Sequence, residues 1–156
     1  VWVRAVAGNF AELPHAVRAA GTRAACVLAD LGFSSNQVDD GSRGLSFMRD
    51  GPLDMRLDPR LPISAYDLVN QSSERELTQI LREMGEEDLA GRVARKVVQE
   101  RAQRPIATTA RLAEIVRAAY ASAGRHGESM HPATKTFQAL RIVVNDELGS
   151  LDSNPD

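Results

Sequence analysis

The chain has 156 residues, of which 43% are hydrophobic and 26% charged, and its net charge is -2. That is ordinary globular composition for one domain with its own core, and it argues against a disordered or low-complexity chain. A nucleic-acid partner would have to be met by a local basic face, because the field of the whole molecule offers no attraction.

No apolar run approaches the roughly 18 residues of a membrane span, and the opening "VWVRAVAGNF" lacks the pattern of a secretory leader. A cytoplasmic protein is expected. The single Cys26 lies in "AACVLAD" and has no internal disulfide partner, so a buried structural thiol is favoured over a reactive one. The first residues read as the tail of a strand and the last as a tail without one, which suggests a segment of something longer.

Taken in order, "VWVRAVAG" is a possible strand, "ELPHAVRAAG" a short helix ending at Gly21, and "RAACVLADLG" a short buried strand with the continuous apolar pattern of a parallel sheet. Residues 39–62 hold Gly41, Gly44, Gly51, Pro52, Pro59 and Pro62 among alternating charges, so an ordered loop that salt-bridges to itself is expected there.

From about Ser64 the pattern turns helical. Leu77, Ile80, Leu81 and Met84 fall three and four apart, Ser73 and Glu76 make a capping box, and Gly85 supplies the stop. Next, Leu89, Ala90, Val93, Ala94, Val97 and Val98 share a stripe. Glu86, Glu87 and Asp88 stand at its start, Arg101 and Arg104 at its end, and Pro105 closes it. Thr108 or Thr109 can cap a third helix with Leu112, Ile115, Val116 and Ala119 on its inner face. After the break "SAGRHGES", a helix opens at Pro132 with Phe137, Leu140, Val144 and Leu148 on one face.

Several residues could carry chemistry. Asp30 ends an apolar run and precedes a turn with Gly32, Ser34, Ser35, Asn36 and Gln37. In open α/β sheets ligands sit beyond the carboxyl ends of strands, so Asp30 could face a ligand; it could equally stabilise the turn or cap a helix. Gln37 could add an amide contact, and Phe10, after the first strand, could stack on a planar ring. Asp50, Asp54 and Asp58 do not have calcium-loop spacing, and Arg56 would repel a cation, so no metal is expected. His131, before Pro132, reads as a helix cap rather than a ligand. Arg92, Arg95, Lys96, Arg101 and Arg104 oppose the apolar stripe of their helix, either as a solvated face or as a nucleic-acid surface.

The longer strings are more specific. "GNF", "LADLGFSSNQVDDGSRGLSFMRDGPLDMRLDP", "ILREMGEEDLAGRVARKVVQER", "RPIATTARLAEIV" and "HPATKTFQALRIVVNDEL", in that order over nearly the whole chain, resemble the ribosomal RNA small-subunit (cytosine-N4)-methyltransferase family. The resemblance implies an α/β fold: part of a Rossmann-like, S-adenosylmethionine-dependent methyltransferase core in residues 1–40, a mainly helical substrate-recognition insertion in 41–130, and a core helix with a tail in 131–156. It implies that the intact protein methylates the N4 amine of a cytidine in 16S ribosomal RNA, with the small ribosomal subunit or its RNA as partner.

By the same resemblance Phe10, Asp30 and Gln37 match cofactor-binding positions, with Asn36 in place of a common proline and Phe33 of a common valine. The family's glycine-rich loop and closing strand have no counterpart here, so this stretch alone is not expected to turn over. No catalytic residue is assigned. Arg43, Arg49, Arg56, Arg141 and Asn145 are the hypothetical RNA-side residues. The alternative reading is a non-catalytic RNA-binding or scaffold module.

Overall fold

The computed structural model describes residues 3, 5–6, 12–26, 41–125 and 130–145. The chain divides into two compact units, Val1–Gly32 with Asp146–Asp156, and Phe33–Asn145.

In the first unit one helix is described, α1 (Leu13–Ala19). Pro14 suits its first turn, where the missing N–H has no intrahelical partner to lose. Beyond the helix Gly21 takes φ +66°, the left-handed conformation that a glycine adopts without a Cβ clash. The helix expected before Gly21 is therefore present. The two expected strands fall largely on residues outside those described, and the described residues carry no strand. Cys26 corrects an expectation, because it is exposed rather than buried. None of the described residues from 12 to 26 is buried, so no second layer covers the thiol among them.

Among its described residues the second unit has a 3-10 turn (Gly41–Arg43), an irregular stretch, and then five helices: α2 (Ala65–Gln71), α3 (Glu74–Gly85), α4 (Ala90–Gln103), α5 (Thr109–Ser122) and α6 (Ala133–Asn145). Local chemistry explains most of the boundaries. Ser64 and Asp67 form a capping box on α2, and Ser73 with Glu76 forms the expected one on α3. Thr108 caps α5 by accepting from the Arg111 N–H at 3.2 Å, while Thr109 is the first helical residue and is fully buried. Leu77 and Leu81 of α3, Val93 and Val97 of α4, Leu112, Ile115 and Val116 of α5, and Phe137, Leu140 and Val144 of α6 enclose one core, as the apolar periodicity required. Leu148 lies outside the described residues. The α6 helix packs on α3, α5 and α2, inside the helical unit.

Two details at the α3–α4 turn differ from the sequence reading. The left-handed stop falls on Glu86, at φ 49°, not on Gly85. Gly85 is instead needed for close approach, because a Cβ there would lie 2.5 Å from the Lys135 carbonyl oxygen and 2.9 Å from the Ala139 Cβ of α6. The acids before α4 also differ from expectation, since the helix starts at Ala90 and its first turn holds no acid.

Glu87 turns inward and is 2% exposed. One of its carboxylate oxygens, Oε1, accepts from the Tyr120 hydroxyl and from the Leu89 N–H at 3.1 Å; the other, Oε2, accepts from the Thr136 hydroxyl at 3.3 Å. Burying a carboxylate is costly unless its lone pairs are filled, and here α5, α6 and the turn itself fill them. Among the described residues no buried side-chain polar atom lacks a partner. Glu87→Ala takes the common acceptor from three donors in the core and opens a cavity, so it is expected to lower stability by about 3 kcal/mol or more. Urea unfolding would show this as a lower midpoint, and an unchanged midpoint would refute the role.

Candidate functional site

The expected self-paired loop is present and has an internal logic. Asp54 accepts from Arg56 Nε at 2.7 Å and from Nη2 at 2.8 Å, a bidentate pair, while Arg56 Nη1 donates to the carbonyls of Leu61 at 3.0 Å and Pro59 at 3.2 Å. Asp58 and Arg60 repeat the motif on the surface, with Nη2 to Oδ2 at 2.7 Å. Hydrogen bonding from Arg56 holds the Asp54 carboxyl below its ordinary value. The Arg60 side chain lowers that of Asp58 to about 2, and the Ser64 side chain lowers that of Asp67. The third acid, Asp50, accepts from the Ala110 N–H at 3.1 Å at the start of α5. The three evenly spaced acids thus serve three separate partners.

In mid-course the loop is fastened to the segment leading into α5. Pro52 pairs with Thr108 in an antiparallel bridge; the Leu53 N–H donates to the Ala107 carbonyl and the Thr109 N–H to that of Gly51, each at 3.0 Å. Two glycines permit the fold-back. A Cβ on Gly44, itself at φ +63°, would lie 1.9 Å from the Pro52 carbonyl oxygen, and one on Gly51 would lie 1.9 Å from that of Gly41. Met55 is fully buried at φ 63°, its N–H donating to the Arg43 carbonyl at 2.9 Å.

The five hypothetical RNA-side residues are spread over this construction. Asn145 Nδ2 donates to the carbonyls of Met55 and Arg141, both at 2.9 Å, and its Oδ1 accepts from the Leu57 N–H at 2.7 Å. Its amide therefore fastens α6 to the loop. Arg56 is engaged with Asp54 and the loop carbonyls, and Arg43 Nη1 reaches the Leu57 carbonyl at 3.3 Å. Arg141 is half-buried, and Arg49 is exposed on the turn before Asp50. On α4, Arg95 pairs with Glu74 at 3.4 Å, Lys96 with Glu100 at 2.8 Å, and Arg101 donates to the Val69 carbonyl at 2.7 Å, so three of that helix's four basic residues have partners inside the unit. Phe10, Asp30 and Gln37 lie outside the described residues.

One grouping had no local signal in the sequence. Phe47 stacks on His131, with ring centroids 4.4 Å apart and planes 22° from parallel, and meets the buried Phe137 edge-on at 5.1 Å. His131 Nδ1 accepts from the Ala133 N–H at 3.1 Å, which is the capping role expected of it. Desolvation, and then the charge of Arg117, hold its pKa below the ordinary value. Met48 and Met130, the chain neighbours of Phe47 and His131, are 81% and 53% exposed. The partners in this cluster are 84 and 90 residues apart in the chain, so no periodicity reveals them.

Among the described residues no three potential metal ligands cluster, and no helix is long and apolar enough to cross a membrane.

Two predictions follow from this geometry. Asp54, Asp58 and Asp67 have folded pKa values below the unfolded one, so the native state binds fewer protons and their stabilisation is present above about pH 3.8. It is lost as pH falls through the folded values, and a carboxyl-carbon NMR titration should place Asp58 near 2; titration at 3.8 would exclude the Arg60 pairing. Asn145→Ala should cost about 1–3 kcal/mol and speed hydrogen exchange at the Leu57 amide, with exchange in α3 following only the global loss.

The model of the MraW methylase family matches residues 2–154. The chain is 49% identical over 146 residues to the ribosomal RNA small subunit methyltransferase H of Methylococcus capsulatus, covering 92% of this chain and 48% of that protein. With the protein of the same name from Symbiobacterium thermophilum it shares 48% over 151 residues, covering 96% of this chain and 47% of that one. With that from Syntrophus aciditrophicus it shares 52% over 125 residues, covering 80% and 39%. The chain thus spans about half the length of the first two relatives. A match across residues 2–154, supported by these identities, places the chain in the MraW methylase family, whose members have an S-adenosylmethionine-dependent methyltransferase fold.

Proposed function

We propose that the intact protein transfers a methyl group from S-adenosylmethionine to the N4 amine of a cytidine in small-subunit ribosomal RNA. The observation that carries this reading is the family match over residues 2–154 together with relatives at 47–52% identity that are named ribosomal RNA small subunit methyltransferase H. The partner is the small subunit or its RNA, and the place of action the cytoplasm.

Cytosine N4 is conjugated with its ring and has little lone-pair density. Alignment and preorganised polar groups therefore matter more for its methylation than a strong base does. The cofactor supplies an activated methyl group on a sulfonium. On this reading Phe10, Asp30 and Gln37 hold that cofactor, Asp30 through its carboxylate at the end of an apolar run, Gln37 through its amide and Phe10 through its ring. The target base must leave its stack to be reached, which suits a single-stranded site and calls for a basic surface with some aromatic character. Arg43, Arg49 and Arg141 belong to that RNA side, while Arg56 and Asn145 contribute by holding the loop in shape.

The helical character of the described residues favours a second reading, a non-catalytic RNA-binding or scaffold module. One experiment separates the two. Incubating the intact protein with labelled S-adenosylmethionine and small-subunit RNA should produce N4-methylcytidine by mass spectrometry of the digested RNA. RNA binding without methyl transfer would leave the scaffold reading. Within the enzyme reading, Asp30→Ala should weaken cofactor binding in calorimetry by about tenfold or more with little change in melting temperature, since a charge-assisted hydrogen bond contributes about 1.5–3 kcal/mol; unchanged affinity would remove Asp30 from the site.

A further inference from the structure

We propose that Phe47, His131 and Arg117 form a stacking site for one unpaired base of single-stranded RNA, distinct from the arginines and Asn145 assigned to the RNA side above. The proposal rests on the RNA-directed reading of the preceding subsection and names a specific place where the RNA is held.

The first argument is preorganisation. The His131 ring is fixed on one side by stacking on Phe47 at 4.4 Å, and its Nδ1 by the Ala133 N–H at 3.1 Å. Phe47 is in turn held by the edge of Phe137, which is 5% exposed. A ring with so little freedom left loses little more when a base covers it. With Nδ1 accepting, the neutral imidazole carries its proton on Nε2, a donor available to a base or phosphate oxygen. His131 is nonetheless exposed, an unusual state for an aromatic ring at the end of a three-ring column.

The second argument is the company of the stack. Met48 and Met130, the chain neighbours of Phe47 and His131, are 81% and 53% exposed and carry polarizable thioethers. After desolvation, the charge of Arg117 also lowers the pKa of the imidazole. The carboxylate one turn earlier on its helix, Glu114, pairs with Arg111 at 3.3 Å. A flat ring with an adjacent cation matches the chemistry of a nucleotide, a π face joined to a phosphate. A protein partner would ask for a broader apolar area than two methionines and one ring provide.

The test uses the intact protein and a short single-stranded oligoribonucleotide carrying 2-aminopurine, whose fluorescence falls on stacking. His131→Asn keeps a side-chain acceptor for the Ala133 N–H and removes the ring. It should weaken binding about tenfold and abolish the quench, with the salt dependence unchanged. Arg117→Gln should also weaken binding, but with the slope of log K against log salt reduced by about 0.7. His131→Phe, which keeps an aromatic plane, should retain the quench, so that loss in the Asn variant cannot be charged to misfolding.

If the Asn and Gln variants bind and quench as the wild type does while the wild type methylates RNA, the stacking site is wrong and the proposed function stands. If the wild type transfers no methyl group but its quench is lost in His131→Asn, the site stands and the catalytic reading fails. If His131→Asn weakens S-adenosylmethionine binding and leaves RNA binding intact, the surface seats another part of the same protein and the proposal is overturned.

Discussion

The buried carboxylate of Glu87 is the constraint around which the helical unit is arranged. A carboxyl group that is 2% exposed is tolerated only when its acceptors are filled, and the donors come from Leu89, Tyr120 and Thr136, on the α3–α4 turn, α5 and α6. Apolar packing alone lets helices slide by small steps at modest cost, whereas a shared acceptor fixes rotation and depth together. The neighbouring contacts conform to that pin. Lys135 Nζ donates to the Glu86 carbonyl at 2.8 Å, and Gly85 lets the α6 backbone come close enough for Thr136 to reach the carboxylate.

The irregular stretch depends on the same frame in a different way. It has little secondary structure, yet its polar groups are engaged, by Arg56 and Asp54 within the loop and by Thr109, Ala107 and Asn145 beyond it. The left-handed Met55 costs roughly 1–2 kcal/mol in backbone strain, against which its full burial works. A loop held this firmly presents Phe47 and Arg49 at fixed positions, so a surface built on it loses little conformational entropy when a ligand arrives.

How much of this was legible depended on the range of the interaction. The caps at Ser73 and Thr108, the apolar faces of α3 to α6 and the self-paired loop rest on neighbours a few residues apart, and their chemistry is readable along the chain. Gly85 and Glu87 were misread because each looks like a local punctuation mark, a stop and a dipole acid. Their real partners, Ala139, Tyr120 and Thr136, are supplied by other helices. The same holds for Asn145, whose use is decided by Met55 and Leu57. Cys26 looked buried because its apolar neighbours suggested a sheet, and a strand buries nothing without a partner layer. Of the site residues, Phe10, Asp30 and Gln37 stand on motif likeness alone, while the ring column through Phe47 became visible only in three dimensions.

Met55 also has a topological meaning. Its N–H is bonded to the Arg43 carbonyl near the start of the described helical unit, and its carbonyl to the Asn145 amide at the end of it, each at 2.9 Å. Chain entering the unit and chain leaving it are thus joined through one residue. Two chain segments held this close by one residue leave little loop-closure entropy for the rest of the unit to offset. The helices between these two contacts can lengthen, shorten or change surface chemistry without the Met55 junction being redrawn.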